Sequence, residues 1–272
     1  MKPTLLSFQS FLENAVRVVR DDAEAIGLAV GGSHASGNAD AYSDLDLVLV
    51  TDESIAPDTH RMRAYAARLG QLLASFRGDH VGEPRLLIAL YDAPLLHVDI
   101  KFLTLAEFQE RVENPVVLYE RNGGLTTVIE QSTAHYPNFD FQEAEDRFWI
   151  WIHYVALKIG RGEYFEALDF LAFLRGAVLG PMIHLKNGNE PRGVRRIETS
   201  VDPNDLVQLT KTIASLDRNA LVASTESAMR LYESLRDRLA PATLQKNDVA
   251  QLAVRAYLDA IRPQTAYSTI NQ

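Results

Sequence analysis

The amino-acid sequence predicts an α/β (α+β) protein in which a small mixed-sheet domain, residues 1–135, precedes an all-helical domain, residues 136–272. In the first half, short apolar runs typical of buried strands alternate with segments that have helical spacing. Turn-forming residues at Tyr136-Pro137-Asn138 mark a boundary, and beyond them the pattern is nearly all helical. A chain of 272 residues is long enough to bury two moderate cores.

The first domain is predicted to contain several strands and the helices that cover them. The strand-like runs are residues 25–30, 45–50, 85–91 and 95–102. Pro57 is expected to open a helix that continues to Leu72. Thr104 is expected to cap another helix, because Glu107 follows it three residues later, as in a capping box.

The second domain is predicted to consist of long helices. The first of them ends near Gly160 or Gly162, and the next runs from Glu163 to Leu185. Gly180-Pro181 lies inside this second helix, and it should kink or break there because proline lacks the amide hydrogen that the helix needs.

Composition excludes several functional classes. The chain carries 27 Lys and Arg against 36 Asp and Glu, and this net charge of −9 argues against a nucleic-acid partner. The acidic excess is concentrated in residues 1–139, which hold 11 Lys and Arg against 19 Asp and Glu. The absence of cysteine excludes disulfides and thiolate metal sites. No signal peptide, bilayer-spanning segment or membrane partner is expected, so the predicted location is cytoplasmic.

One segment, from Gly31 to Val50, combines features that phosphoryl transfer requires. Glycines before Ser33 would let backbone amides approach phosphate oxygens, and the Ser33 hydroxyl adds a donor. Asp44 and Asp46 are two residues apart on a strand, so both carboxylates point to the same face. Hard oxygen ligands of this kind suit Mg²⁺, which would also relieve the repulsion between the two charges.

A third carboxylate, Asp99, is predicted to complete the site. In the strand Leu96–Phe102, the residues His97, Asp99 and Lys101 share one face. A charged face on an otherwise buried strand is costly unless something binds there. If this strand lies beside the one that carries Asp44 and Asp46, the three carboxylates converge around one or two Mg²⁺ ions.

This combination resembles the nucleotidyltransferase domain of the DNA polymerase β superfamily, and within it the aminoglycoside and lincosamide nucleotidyltransferases. The resemblance implies a catalytic domain over residues 1–135 and a helical C-terminal domain over residues 136–272. It also implies that Asp44 and Asp46 bind metal and that Gly32 and Ser33 bind the triphosphate. Asp99 corresponds to the residue that is either a metal ligand or the base that deprotonates the acceptor hydroxyl.

The helical half contains a second candidate group. Tyr154 and Lys158 are four residues apart and share a helix face, and the resemblance implies that they contact the nucleotide. Four cations in a later loop could close over phosphates, or simply be solvated: Lys186, Arg192, Arg195 and Arg196.

The expected activity is Mg²⁺-dependent transfer of a nucleoside monophosphate, with ATP the favoured co-substrate, to a hydroxyl of a small molecule. An acidic domain suits a cationic acceptor such as an aminoglycoside. The alternatives are a protein-modifying or antitoxin-like nucleotidyltransferase, and a non-catalytic nucleotide-binding module of the same fold. The sequence leaves open the acceptor, the hydroxyl modified, the nucleotide and the oligomeric state.

Overall fold

The chain divides into two compact units between Tyr136 and Pro137. The structure is a computed structural model, and it describes residues 5–262. Residues 1–4 lie outside that range; they belong to the N-terminal stretch in which no signal peptide is expected. The first unit holds a mixed sheet with helices and the second is helical, which confirms the predicted fold class.

The first unit is built on a six-stranded sheet with the strand order β3-β4-β5-β2-β1-β6. Strands β2 and β5 run parallel to each other, and every other neighbouring pair in this sheet is antiparallel. In chain order the elements are α1 (Leu5–Arg20), β1 (Ala25–Val30), α2 (Gly32–Ala35), β2 (Leu45–Thr51), α3 (Thr59–Leu69), β3 (Gln71–Gly78), a 3₁₀ turn (Asp79–Val81), β4 (Glu83–Asp92), β5 (Leu96–Thr104), α4 (Leu105–Phe108), β6 (Val116–Glu120) and α5 (Gly124–Gln131).

The two faces of the sheet differ in a way that places the charged residues. On β2, Leu45, Leu47 and Leu49 are buried in the larger core, as the two-residue period of a strand requires. The opposite face of β2 begins with Asp46 and ends with Val50, which joins a smaller core. Strand β5 alternates in the same manner, so polar side chains of both strands come to the second face.

The predicted helix from Pro57 to Leu72 is wrong at its C-terminal end. Helix α3 ends at Leu69, and Leu72 lies in β3, where it pairs with Tyr91. The apolar spacing of α3 continues through Leu72, but Gly70 directly follows the last helical residue and is the signal in the sequence that the prediction overlooked. Pairing with β4 overrides that local pattern. Strands β3 and β6, both at sheet edges, were absent from the prediction.

The second unit is helical in the part that the structure describes. Its elements are α6 (Phe141–Arg161), α7 (Tyr164–Leu174), a π-helical turn (Arg175–Leu179), α8 (Gly180–Lys186), α9 (Ile197–Ser200), α10 (Pro203–Thr210), α11 (Arg218–Leu239) and α12 (Asp248–Ala260). The predicted break is absent, because helical residues run without interruption from Tyr164 to Lys186. A π-helical turn stands directly before Pro181, where its wider hydrogen-bonding pattern accommodates the residue that lacks a donor. Gly162 ends α6 in the left-handed conformation, as expected.

A buried ion pair lies in the core of the helical unit. Glu145 on α6 is fully buried, and Arg236 on α11 is 4% exposed; their closest side-chain atoms are 3.2 Å apart. Tyr232, Trp149 and the backbone amide of Asn247 also donate hydrogen bonds to the Glu145 carboxylate. Four donor groups thus compensate for the removal of this charge from water.

One stretch, Tyr164–Lys186, is long and apolar enough to cross a membrane by length and composition. The prediction that no segment could do so was therefore too strict. Half of the stretch is buried within the protein, and the core helix of a soluble protein passes the same test. The observation is accordingly weak evidence for a membrane span.

Candidate active site

The turn between β1 and α2 can be built only with glycine at its centre. Gly32 has a φ of +59°, in the left-handed region that residues with a side chain rarely adopt. A Cβ at Gly32 would lie 1.9 Å from Oδ2 of Asp46, so the carboxylate fills the space beside the backbone. Ser33 follows with 5% exposure, and its hydroxyl has no hydrogen-bond partner among the described residues. The turn therefore presents an uncommitted hydroxyl beside a carboxylate.

Asp46 and Asp99 are direct register partners on the parallel strands β2 and β5. Neighbouring strands lie about 4.8 Å apart, and register partners in a parallel pair point to the same face. That face is the one opposite Leu45, Leu47 and Leu49. Val50 and Leu103 pair on it further along the same two strands. The sheet thus brings the two carboxylates together, as the sequence analysis required.

Asp44 lies just before β2, close enough for its charge to act on the same group. Burial raises the pKa of Asp99, and the negative charge of Asp44 raises it further. His97 opposes both effects: its Nε2 is 3.0 Å from Oδ1 of Asp99. The electrostatics therefore link Asp44 to Asp99, and the register of β2 and β5 adds Asp46 to the same region of the sheet.

The other charge on this face, Lys101, is bound elsewhere. Its Nζ lies 2.7 Å from Oε2 of Glu83, which also forms two hydrogen bonds with Arg85. The Arg85 guanidinium and Lys101 lower the pKa of Glu83 to about 2 despite partial burial. Lys101 is thus held in a separate ion-pair network and leaves the Asp46–Asp99 pair acidic.

The donor chemistry of this region fits a hard divalent cation. Within residues 5–262, no three side chains among His, Cys, Asp and Glu are already arranged as a metal-binding group. The paired carboxylates of Asp46 and Asp99, with Asp44 nearby, nevertheless supply only the oxygen ligands that Mg²⁺ prefers. The chemical type of these ligands suits Mg²⁺, and the identity of the ligand set stays a prediction.

Glu113 is a contact of this site that the sequence analysis missed. The backbone amide of Gly32 donates a hydrogen bond to Oε1 of Glu113 at 2.7 Å, across 81 residues of chain. The Gly32 amide is therefore already engaged, although the resemblance implied that it binds the triphosphate. No local pattern around Glu113 indicates this contact, because it depends on the pairing of β6 with β1.

Tyr154 and Lys158 lie together on α6 in the second unit. Lys158 Nζ is 2.8 Å from Glu163 and 2.9 Å from Glu166, and it lies 4.9 Å from the centre of the Tyr154 ring. The Tyr154 hydroxyl donates to Glu166. Hydrogen bonds to the two glutamates raise the pKa of Lys158. Both predicted residues are thus held in a cluster whose carboxylates neutralise the lysine.

Two of the four cations proposed to close over phosphates are also held by carboxylates. Lys186 forms an ion pair with the buried Asp205, and Arg192 lies 2.7 Å from Glu190. These contacts favour the interpretation of the loop as a surface ion-pair network.

Replacement of Gly32 by alanine tests the turn. We expect Gly32→Ala to weaken nucleotide binding and turnover about 100-fold, because the new Cβ must displace the Asp46 carboxylate. Gly37→Ala is the matched control. Gly37 also has a positive φ, of +71°, but a Cβ there meets nothing within 4 Å. Both variants carry the strain of a positive φ, and Gly32→Ala should lose more stability in thermal unfolding because of the additional overlap with Asp46. Equal activity in the two folded variants would contradict the prediction.

Residues 12–114 match the family model described as "Nucleotidyltransferase domain". This match confirms the resemblance to nucleotidyltransferases. No curated protein matches the chain.

Among solved structures, an aminoglycoside 6-adenyltransferase from Bacillus subtilis is 14% identical, with a TM-score of 0.40; the alignment covers 92% of this chain and 97% of that one. A spectinomycin adenyltransferase from Enterococcus faecialis, solved with ATP and spectinomycin, is 13% identical at a TM-score of 0.29, with coverages of 94% and 99%. The CCA-adding enzyme of Thermotoga maritima, complexed with tRNA, is 14% identical at 0.33, with coverages of 95% and 71%. Likenesses at these scores carry no argument about substrate.

Proposed function

We propose a specific reaction for this chain, which is a nucleotidyltransferase by the family domain over residues 12–114. The enzyme transfers AMP from ATP to a hydroxyl group of a small molecule and releases pyrophosphate, in a magnesium-dependent reaction. The observation that carries the proposal is the register pairing of Asp46 with Asp99 beside the Gly32 turn. This arrangement supports an acidic, metal-dependent centre next to a phosphate-binding turn.

Each residue of this site has a distinct task in the proposed reaction. Asp44, Asp46 and Asp99 would hold Mg²⁺, which supplies neutralisation of charge on the reacting phosphate. Ser33 donates its buried, uncommitted hydroxyl to an oxygen of the triphosphate. Gly32 makes room for the Asp46 carboxylate, since a side chain at this position would overlap it, and its amide hydrogen is directed to Glu113.

Asp99 is also suited to accept the proton of the acceptor hydroxyl. Burial raises its pKa, and a base works best when its pKa approaches the working pH. The contact with His97 orients the carboxylate. The variant Asp99→Asn distinguishes a role mainly as base from a role mainly as metal ligand.

The acceptor is proposed to be a small cationic hydroxyl compound of the aminoglycoside type. The first 139 residues hold eight more acidic than basic side chains, 19 against 11. Such an excess attracts ammonium groups and repels polyanions such as nucleic acid. A positively charged acceptor would thus concentrate near the carboxylates that perform the transfer.

A transfer assay tests the proposal directly. The full chain is incubated with MgCl₂, each of the four nucleoside triphosphates in turn, and a panel of aminoglycosides and lincosamides. The expected result is pyrophosphate release with a mass increase of one AMP on an aminoglycoside, abolished by EDTA. A nucleotide adduct on protein instead, or no turnover with any acceptor, would contradict it and favour the protein-modifying or non-catalytic alternative.

Asp99→Asn separates the two roles of that residue. We expect the turnover number to fall about 100-fold or more, because asparagine accepts no proton and ligates metal weakly. If Asp99 acts mainly as the base, the Mg²⁺ concentration for half-maximal activity stays unchanged, whereas loss of a metal ligand raises it. Asp92→Asn, at the exposed end of β4, is the control and should retain activity. Full activity of Asp99→Asn would remove this residue from the site.

A further inference from the structure

The carboxylate of Glu113 contacts the turn that is proposed to bind phosphate. Its Oε1 accepts the hydrogen bond from the Gly32 amide at 2.7 Å, and a Cβ added to Gly31 would lie 3.1 Å from the same oxygen. A hydrogen bond from an amide to an ionised carboxylate is about twice as strong as a neutral one. Glu113 is therefore bound tightly against both glycines of the turn.

The fold holds Glu113 in this place from two sides. Val116, the first residue of β6, pairs with Val30, the last residue of β1, so the residues just before β6 lie beside Gly31 and Gly32. On the other side, hydrogen bonds of Arg111 hold the loop that precedes β6 against the end of α5. Its guanidinium donates to the Asn114 side chain at 2.7 Å and to the carbonyl oxygen of Ser132, at the end of α5, at 2.6 Å.

The contact also determines which donor of the turn remains for a ligand. The left-handed conformation of Gly32 is intrinsically one of several that glycine can adopt. The hydrogen bond to Glu113 selects it and uses up the Gly32 amide. Ser33, the next residue, is buried, and its hydroxyl has no partner in the described part of the chain. The turn held in this way carries the Ser33 hydroxyl as a donor that no described residue engages.

We propose that Glu113 is a positioning residue, which fixes the Gly31–Ser33 turn so that Ser33 can bind a phosphate group of the nucleotide. The inference rests on the proposed function for the identity of that ligand. Glu113 itself touches no reacting atom in this scheme, so it acts on affinity for the nucleotide and leaves the chemical step unchanged. The opposite possibility is that Glu113 occupies the place of a phosphate and must leave when the nucleotide binds. Removal of the Glu113 carboxylate weakens nucleotide binding in the first case and strengthens it in the second.

Two substitutions of Glu113 distinguish these outcomes. Glu113→Ala removes the acceptor, and we expect the Kd for Mg-ATP and for inorganic tripolyphosphate to rise about tenfold, with kcat within threefold of wild type. Glu113→Gln keeps a carbonyl oxygen for the Gly32 amide and should restore affinity to within about threefold. Glu110→Ala, exposed in the same loop, is the control and should leave both constants unchanged. Calorimetry measures binding, and thermal unfolding identifies any general loss of structure.

Amide hydrogen exchange supplies a readout that needs no ligand. The Gly32 amide should exchange slowly in the wild-type chain and in Glu113→Gln, and faster in Glu113→Ala. Tighter or unchanged binding in Glu113→Ala would overturn the proposal, even if the wild-type enzyme transfers nucleotide normally. Conversely, Glu113-dependent binding of tripolyphosphate by a chain that transfers no nucleotide would refute the proposed function and leave this inference standing. A wild-type chain that binds neither ATP nor tripolyphosphate would overturn both.

Discussion

Asp46→Asn is expected to lower the rate of nucleotide transfer by about 1,000-fold or more while the protein stays folded. The Asp46 side chain lies beside the Gly32 turn, and Asp46 is also the register partner of Asp99. It is therefore next to both the proposed phosphate-binding turn and the second carboxylate. Asparagine has nearly the same shape but carries no charge and offers a single weak oxygen ligand. The loss should therefore fall on metal-dependent turnover, measured as pyrophosphate release at saturating ATP and Mg²⁺.

Glu53→Gln is the matched control for this substitution. Glu53 is an exposed carboxylate just after β2, so its neutralisation changes the net charge of the unit by the same amount. It should retain activity, and both variants should unfold at temperatures close to that of the wild-type chain. Undiminished transfer by Asp46→Asn would show that the chemistry takes place elsewhere.

The largest effect on stability is expected in the helical unit, from Arg236→Met. This change leaves the fully buried Glu145 without its cationic partner, although Tyr232 still donates to it. Breaking a buried pair from one side costs about 3–5 kcal/mol in the free energy of unfolding, because the remaining charge stays in the core. Urea unfolding of the full chain, followed by circular dichroism, measures the loss.

Arg230→Met, on the same helix, provides the comparison. Its side chain is 61% exposed and pairs with Glu226 at 3.6 Å, so its loss should cost less than about 1 kcal/mol. Equal destabilisation by the two substitutions would contradict the role assigned to burial. The double variant Glu145→Leu with Arg236→Met should recover much of the loss, since it removes both charges from the core.

The same ion pair predicts the direction of acid sensitivity. Burial alone would raise the pKa of Glu145, but hydrogen bonds from Tyr232 and Asn247 and the charge of Arg236 outweigh it and lower the pKa. A folded-state pKa below the ordinary value of 4.5 means that this stabilisation is fully present above pH 4.5. It is lost as the pH falls below that value through the folded-state pKa. The decline should be shallower in Glu145→Gln.

The sequence was sufficient for those parts of the site that depend on local spacing. The alternation along β2 and β5 indicates which face Asp46 and Asp99 take, because a strand has a fixed period. Asp44 precedes β2, so this period does not determine the direction of its carboxylate, contrary to the prediction that it lies on the strand. The capping box of Thr104 and Glu107 was confirmed for the same reason, since it involves neighbours in the chain.

Contacts between distant segments were not predictable in this way. Leu72 continues a helical spacing, and only its pairing with Tyr91 shows that it belongs to a strand. Glu113 is an ordinary loop residue until β6 is placed beside β1. Lys158 was identified as a candidate ligand from its own helix, whereas its neutralisation involves Glu166 on the next helix, α7. In each example the decisive partner is supplied by tertiary structure.

The parallel pairing of β2 and β5 fixes the spacing of Asp46 and Asp99 independently of some of the elements that lie between them in the chain. Asp46 and Asp99 are adjacent in space, yet the chain between them passes through α3, β3 and β4 before it returns. Of these elements, β3 lies at the outer border of the sheet, two strand positions from β5. Insertions or exchanges there would leave the spacing of the two carboxylates intact. Sequence changes at this border could therefore alter the edge of the sheet without moving the proposed catalytic pair, Asp46 and Asp99.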